Sequence, residues 1–200
     1  MTRERVAGVV LAAGMSTRMG RNKMLLEVGG QPLVRRAVAT ALAGGLDPVV
    51  VVLGHESDRV EGALAGLPCL PLVNAQHALG MNTSVRAGFI ALPEDVGAGV
   101  VLLGDMPLVT PAMIRALTGA FRQQTVPLAL SLYGEIVAPP ILYGRALFPE
   151  LRALEAEACG KSVVKAHRAE AVELRWPEEA LTDLDRPEDL ERVRARLEAA

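Results

Sequence analysis

Residues 11 to 23 read Leu-Ala-Ala-Gly-Met-Ser-Thr-Arg-Met-Gly-Arg-Asn-Lys and follow directly on the apolar run Val6-Ala7-Gly8-Val9-Val10. A buried strand therefore runs straight into a loop holding two glycines, two hydroxyls and three cations. Such a loop suits a polyphosphate, because glycine lets backbone N–H groups turn inward and Arg and Lys neutralise the charge. A second loop follows the apolar run Val100 to Leu103 and reads Gly104-Asp105-Met106-Pro107-Leu108-Val109-Thr110-Pro111. It holds Asp105 at a strand end, and Pro111 behind Thr110 reads as the first helical residue after an N-cap. A third carboxylate set, Asp183-Leu184-Asp185, precedes another helical pattern. Two carboxylates from distant parts of the chain, joined by phosphate oxygens, make the hard oxygen shell that Mg²⁺ prefers.

Positioning these loops needs a core. The chain has 200 residues, 50% of them hydrophobic, and a mean hydropathy of +0.28, which suffices for one large core. Short apolar runs alternate with helical patterns: strands at 6–11, 49–53, 70–73 and 100–103, and helices at 32–42, 58–64 and 83–92. That alternation predicts a doubly wound, mainly parallel Rossmann-like α/β sheet with helices on both faces. Val49 to Leu53 is apolar without alternation, as expected of a strand covered on both sides. After residue 124 the rhythm loosens. Strands at 128–132 and 136–137 flank the break Tyr133-Gly134-Glu135, predicting a less regular, partly antiparallel section, and helices are expected at 145–157 and 187–199. The pattern reads as a single domain over 1–200 with halves at 1–124 and 125–200. In such sheets ligands sit at the carboxyl ends of the strands, where the loops above fall.

Several function classes are disfavoured. A net charge of −2, a pI near 6.0 and 3% aromatic residues leave neither a basic stripe nor stacking platforms for nucleic acid. No apolar run approaches the ~20 residues needed to span a bilayer. Cys69 and Cys159 are too few for a disulfide framework or a cysteine metal site, which fits a reducing cytoplasm. Val6 to Ala13 is read as a strand rather than a secretory signal, since cleavage near Ala13 would part the strand from its loop. His55, His77 and His167 lack ligand spacing and are read as surface or hydrogen-bonded structural histidines. Gly160-Lys161-Ser162 ends like a P-loop, but Glu155 stands where the first glycine would be. Gly14 and Gly20 also lack the tight G-x-G-x-x-G spacing of a dinucleotide-binding oxidoreductase.

The pattern Leu11-Ala12-Ala13-Gly14-x-Ser16-x-Arg18-Met19-Gly20-x-x-Lys23, then Gly30-Gln31-Pro32-Leu33, then Gly104-Asp105-Met106-Pro107, resembles the MobA-like nucleotidyltransferase family. Within that family it looks like the molybdenum cofactor cytidylyltransferases. The match extends to Asn74, to Gly80-Met81-Asn82-Thr83-Ser84 opening a helix, and to Asp185-x-Pro187-Glu188-Asp189-Leu190. The resemblance implies Mg²⁺-dependent transfer of a nucleoside monophosphate from an NTP to a phosphate-bearing acceptor such as molybdopterin cofactor, with pyrophosphate leaving. On that reading residues 1–124 hold the NTP and 125–200 the acceptor. Leu11, Ala12 and Ala13 belong to the nucleotide site; Gly14, Ser16 and Gly20 shape its cradle, and Arg18 grips the β- and γ-phosphates. Lys23 neutralises the α-phosphate and the acceptor phosphate. Asp105 and Asp185 carry Mg²⁺, with Asp183 the alternative to Asp185. Asn74 and Ser84 are the candidates for contacts to base or ribose, and a helix beginning near Met81 turns its N-terminus toward an anion.

The form Leu-Ala-Ala-Gly resembles the CTP-using members, whereas Leu-Ala-Gly-Gly resembles those using GTP, so CTP is favoured on Ala13. The acceptor region departs from the relatives. An Arg-Gly-His/Asn-Pro-Val segment is replaced by Ala138-Pro139-Pro140-Ile141-Leu142-Tyr143, which removes a cation and a polar side chain. A Gly-Asp-x-Gly-Ala-Arg segment becomes Glu157-Ala158-Cys159-Gly160-Lys161-Ser162, which leaves Lys161 and Ser162 as the acceptor-phosphate candidates. The alternatives are another NTP with another phosphorylated acceptor, a non-catalytic nucleotide-binding protein, or a Rossmann oxidoreductase.

Overall fold

Period-two burial builds the first strand. In β1 (Arg5–Ala12), Val6, Val10 and Ala12 enter one apolar layer while Ala7, Val9 and Leu11 enter the other, so an unbroken apolar run is what a doubly covered strand requires. The computed structural model describes residues 4–16, 19–124, 126–156, 161–182, 184 and 187–198. A small antiparallel pair, β2 (Glu27–Val28) and β3 (Gln31–Pro32), leads into α1 (Leu33–Ala43). There follow β4 (Val49–Leu53), α2 (Ser57–Gly62), β5 (Leu70–Val73), α3 (Met81–Ile90), β6 (Val96–Leu103) and α4 (Pro111–Gln124). The second half contributes β7 (Leu128–Tyr133), β8 (Ile136–Gly144), α5 (Phe148–Arg152), α6 (Ser162–His167), β9 (Ala171–Trp176) and α7 (Pro187–Glu198).

Seven strands form one sheet in the order β5-β4-β1-β6-β8-β7-β9. Neighbouring strands are parallel except where β8 runs antiparallel to both β6 and β7. The chain winds outward from β1 through β4 to β5, then returns to place β6 on the other side of β1. That reversal opens a crevice at the carboxyl ends of β1 and β6, the topological switch point where open α/β sheets bind ligands. Helices α1, α2, α4 and α7 cover one face, with Leu33, Val38, Val60, Ile114 and Leu117 buried there. Helices α3, α5 and α6 cover the other through Val85, Phe89, Phe148, Leu151 and Val164.

Helix α3 comes down onto the sheet through Gly88. A Cβ at that position would overlap Val9 Cγ1 and lie 3.3 Å from Val52 Cγ2. Gly88→Ala is therefore expected to destabilise the protein by about 1–3 kcal/mol despite alanine's better helix propensity, because overpacking outweighs it. A thermal melt should show a drop of several degrees.

Three expectations after residue 124 need correction. The helix expected at 145–157 is a short 3-10 turn (Arg145–Leu147) and the brief α5, after which Ala153 caps the helix through Pro149 and Glu150 carbonyls. The strand expected at 136–137 runs on to Gly144 despite two prolines. Their missing N–H groups cost nothing to β6, since the pairing of β8 with β6 begins only after them, at Ile141 opposite Val101. Strand β9 has no counterpart among the expected elements, although Val172-Glu173-Leu174-Arg175-Trp176 alternates apolar and charged residues as a strand with one exposed face does.

His167 ties α6 to α5. Its Nε2 lies 2.8 Å from Glu150 Oε1 and its Nδ1 3.5 Å from Glu170 Oε1. The hydrogen bond to Glu150, then the charges of Glu150 and Glu170, raise its pKa above the ordinary 6.5. A raised pKa means that the folded state holds the proton more tightly than the unfolded chain. The stabilisation is therefore complete below the ordinary value and disappears as pH climbs through the folded pKa. The melting-temperature gap between the wild type and His167→Ala is expected to be wide near about pH 6 and to narrow on the alkaline side.

Candidate active site

The loop leaving β1 is wound by its own side chains. Ser16 sits at a left-handed φ of 53°, its carbonyl accepts from the Met19 N–H at 3.0 Å, and its Oγ accepts from the Lys23 N–H at 3.0 Å. A non-glycine residue in that region costs about 1–3 kcal/mol and marks a backbone held for a purpose. Gly20, at φ 64°, supplies the second left-handed turn. Buried Asn22 closes the loop, its Oδ1 accepting from the Met24 N–H and its Nδ2 donating to the His55 carbonyl, each at 3.0 Å. The phosphate-type loop is thus anchored to the end of β4 as well as to β1.

Asp105 is brought to the same place from β6. The Gly104 N–H donates to the Leu11 carbonyl at 2.9 Å, and the Leu184 N–H donates to the Asp105 carbonyl at 3.1 Å. A Cβ on Gly104 would meet Met24 Sδ at 2.7 Å, so glycine here lets the two loops touch. In consequence Lys23 Nζ lies 2.5 Å from Asp105 Oδ2, with side chains only 12% and 17% exposed. An ion pair this sheltered is far less screened than one in open solvent, so its field reaches into the crevice.

The crevice is a cleft of about 370 Å³ lined by Leu11, Ala13, Gly14, Lys23, Met24, His77, Met81, Ser84, Leu103 and Asp105. Its two ends differ chemically. Lys23 and Asp105 form a charged end at the loop, beside Gly14, Leu11 and Leu103, while Ala13, Met81, Ser84 and His77 form a neutral end free of carboxylate, ammonium and guanidinium groups. Ser16 and Gly20 line an adjoining recess of about 490 Å³ with Arg21, His55, Glu56 and Arg59.

Of the residues singled out in the sequence, Leu11, Ala13, Gly14, Lys23, Ser84 and Asp105 meet in the cleft. Ala12 is placed beside the cleft but turns its methyl into the opposite core layer. Asn74 is buried and its amide is fully engaged: Nδ2 donates to Thr83 Oγ1 at 2.8 Å and Ser84 Oγ at 3.0 Å, and Oδ1 accepts from the Gln76 N–H at 2.9 Å. It organises the start of α3, and because Ser84 Oγ accepts this bond, the Ser84 hydroxyl proton remains for the cleft. Lys161 and Ser162 are exposed at the head of α6 and do not line the cleft. Arg18, Asp183 and Asp185 lie outside the described residues. Sequence reasoning misses Asn22, whose place before a 3-10 turn is the usual position of a capping side chain. It also misses Met24, His77 and Met81, which reach the cleft only through non-local packing.

Among the described residues no group of three or more His, Cys, Asp and Glu gathers as a metal cage. One hard carboxylate beside a phosphate-type loop fits an ion that completes its shell with substrate phosphates, as Mg²⁺ commonly does. In the second half of the sheet, β8 offers no such charge at its prolines: Ser131 Oγ donates to the Pro140 carbonyl at 2.7 Å and Tyr133 Oη to the Pro139 carbonyl at 2.9 Å, while the prolines present no N–H. A further recess beside the amino end of β1, away from the cleft, holds Arg115 and Arg122, which donate to the carbonyls of Ala43 and Glu4. No helix among the described residues is long and apolar enough to cross a membrane.

Comparison with known proteins agrees with the geometry. A family model described as the MobA-like NTP transferase domain matches residues 8–172. Bifunctional protein GlmU of Anaeromyxobacter sp. (strain K) is 37% identical over 190 residues, covering 88% of this chain. The chain spans 38% of the length of that relative. Among solved structures, Rv0371c from Mycobacterium tuberculosis H37Rv superposes with a TM-score of 0.85 at 26% identity, covering 97% of this chain and 100% of that one. Its complex with manganese gives 0.79 at 25% identity, covering 96% and 98%.

Proposed function

We propose, because the chain belongs to the MobA-like NTP transferase family, that it moves a nucleoside monophosphate from an NTP to a phosphate-bearing small molecule and releases pyrophosphate. The observation that carries this reading is the meeting of Lys23 and Asp105, 2.5 Å apart at the switch point beside a wound glycine loop. A sheltered cation and a hard anion at one spot are what in-line attack on an α-phosphorus needs.

In this reading the backbone between Gly14 and Lys23 cradles the triphosphate, with Arg18 on its β- and γ-phosphates. Lys23 draws the α-phosphate and the anionic acceptor together against their mutual repulsion. An acceptor phosphate oxygen forms the new bond to the α-phosphorus, the bond to the β-phosphate oxygen breaks, and pyrophosphate departs with that electron pair. No protein nucleophile is needed. Asp105 would hold a divalent ion, with Asp185 or Asp183 as second carboxylate, and Mg²⁺ there would supply charge neutralisation of the α-phosphate and of the leaving group. The manganese complex of Rv0371c supports a divalent ion.

CTP is the NTP proposed, because the Ala13 methyl takes space at the neutral end of the cleft that a glycine would leave to a purine. Lys161 and Ser162, exposed at the head of α6 outside the cleft, would meet a part of the acceptor away from its reacting phosphate; molybdopterin cofactor is the family's example, and the bare proline wall of β8 argues for an acceptor that asks fewer hydrogen bonds there. Melting-temperature shifts with each of the four NTPs and Mg²⁺, followed by pyrophosphate release with phosphorylated acceptors, test the reading. The expected result is the largest shift with CTP. A magnesium-dependent shift with GTP and not CTP overturns the base, and CTP·Mg²⁺ binding without pyrophosphate release for any acceptor overturns the enzyme.

A further inference from the structure

His77 lines the neutral end of the cleft, yet the protein makes no evident use of its imidazole. Its Nδ1 is buried and has no hydrogen-bond partner. The surrounding polar framework is complete without it. The backbone N–H of His77 reaches the Asn74 carbonyl at 3.2 Å, and the Asn74 amide serves Thr83, Ser84 and Gln76. Thr83 in turn donates from Oγ1 toward the carbonyls of Gln76 and Gly80. Of the two expectations for position 77, surface or hydrogen-bonded, the hydrogen-bonded one does not hold: the side chain is half-buried and Nδ1 has no partner.

The ring also has a seat prepared for it. At Gly54, just past β4, a Cβ would lie 2.6 Å from His77 Cγ, 2.6 Å from the Ala13 carbonyl and 2.9 Å from the Ala13 Cβ. Only glycine lets the imidazole lie against the β4 end beside Ala13. A polar ring held by packing, with a shielded nitrogen unpaired, costs the fold about 1–3 kcal/mol and gives it no hydrogen bond in return. Because Nδ1 is shielded, the part of the ring that lines the cleft is its other edge, and that edge makes no hydrogen bond with any described residue.

We infer that His77 reads the nucleobase. With the triphosphate at Lys23 and Asp105, the base of the same molecule is directed to the neutral end. There Ala13 and Met81 offer apolar surface to its faces, and two polar groups, the Ser84 hydroxyl and the His77 imidazole, meet its hydrogen-bonding edge. A neutral planar ligand with donors and acceptors on its rim suits that end, whereas a charged one would be desolvated without a counter-ion. This assignment rests on the proposed binding of an NTP in this cleft, but it does not depend on which base is chosen.

His77→Phe and His77→Ala separate the reading from a structural role. Binding is measured for the four NTPs with Mg²⁺ and for inorganic tripolyphosphate, alongside thermal melts. The Phe variant is expected to melt at or above the wild-type temperature, since it loses no partner and sheds an unpaired buried nitrogen. Its affinity for the preferred NTP should fall at least about tenfold, with discrimination among bases flattened and tripolyphosphate affinity unchanged. The Ala variant should lose base discrimination likewise, whatever its melting temperature. Unaltered discrimination in both variants overturns the inference, as does an equal loss of affinity for tripolyphosphate. A wild type preferring GTP, with that preference erased in His77→Phe, overturns the CTP assignment and leaves His77 as the reader. A wild type that binds tripolyphosphate but no base selectively overturns the inference, whether or not pyrophosphate is released.

Discussion

Lys23→Ala is expected to lower the rate of pyrophosphate release by about 10²–10³-fold, the usual effect of removing one preorganised charge from a site where negative charge accumulates. The loss should fall on kcat more than on binding, because other loop groups still hold the β- and γ-phosphates. A second effect follows from the resting geometry. The ammonium lies 2.5 Å from Asp105 Oδ2 in a pair that is mostly shielded from water. It therefore competes with any divalent ion for that carboxylate. Removing it should let free Mn²⁺ bind the nucleotide-free protein more tightly than it binds the wild type, read as loss of the free-ion signal in an EPR titration. A variant with unchanged turnover would show that Lys23 is a structural partner of Asp105 and no more.

Asp105→Asn is expected to have an effect of similar or larger size, about 10³-fold, since a metal-held carboxylate supplies several kcal/mol of charge stabilisation in phosphoryl chemistry. The substitution keeps the shape, so the Leu184 N–H contact with the residue 105 carbonyl should persist, and so should the packing of Gly104 against Met24. What should vanish is the metal-dependent share of the thermal shift produced by CTP. Ligands that bind only the native state raise the melting point by mass action, and a weaker metal complex raises it less. Retention of the full magnesium-dependent shift in Asp105→Asn would remove Asp105 from the ion's shell.

Both residues are legible from the order of amino acids. Lys23 closes a loop whose glycines, hydroxyls and cations are contiguous, and Asp105 follows an apolar strand at once, so local pattern suffices to place each at a strand end. The parallel sheet is legible for the same reason: β1, β4 and β6 are uninterrupted apolar runs separated by helical periodicity. The second half is harder. Strand β9 is half exposed, β8 carries two prolines, and α5 ends early at Ala153. These elements owe their form to neighbours: β8 tolerates prolines because its pairing with β6 begins only after them, at Ile141, and β9 exists because β7 offers it an edge.

The division within the site follows the same physics. The sequence by itself determined the place of the glycine- and cation-bearing loop, the strand-end carboxylate and the sheet that carries them, because each depends on residues near one another in the chain. Tertiary structure alone decided which groups face the cleft. It placed Lys23 on Asp105 through the close approach of Gly104 to Met24, and it committed the Asn74 amide to Thr83, Ser84 and Gln76. It seated His77 against Gly54 and Ala13 with its Nδ1 unpaired. The Lys23 and His77 contacts turn on distances between segments tens of residues apart, and the Asn74 bonds, though they span ten residues or fewer, on which groups are already satisfied when the turn and α3 meet. Neither quantity is carried by the spacing of residues along the chain.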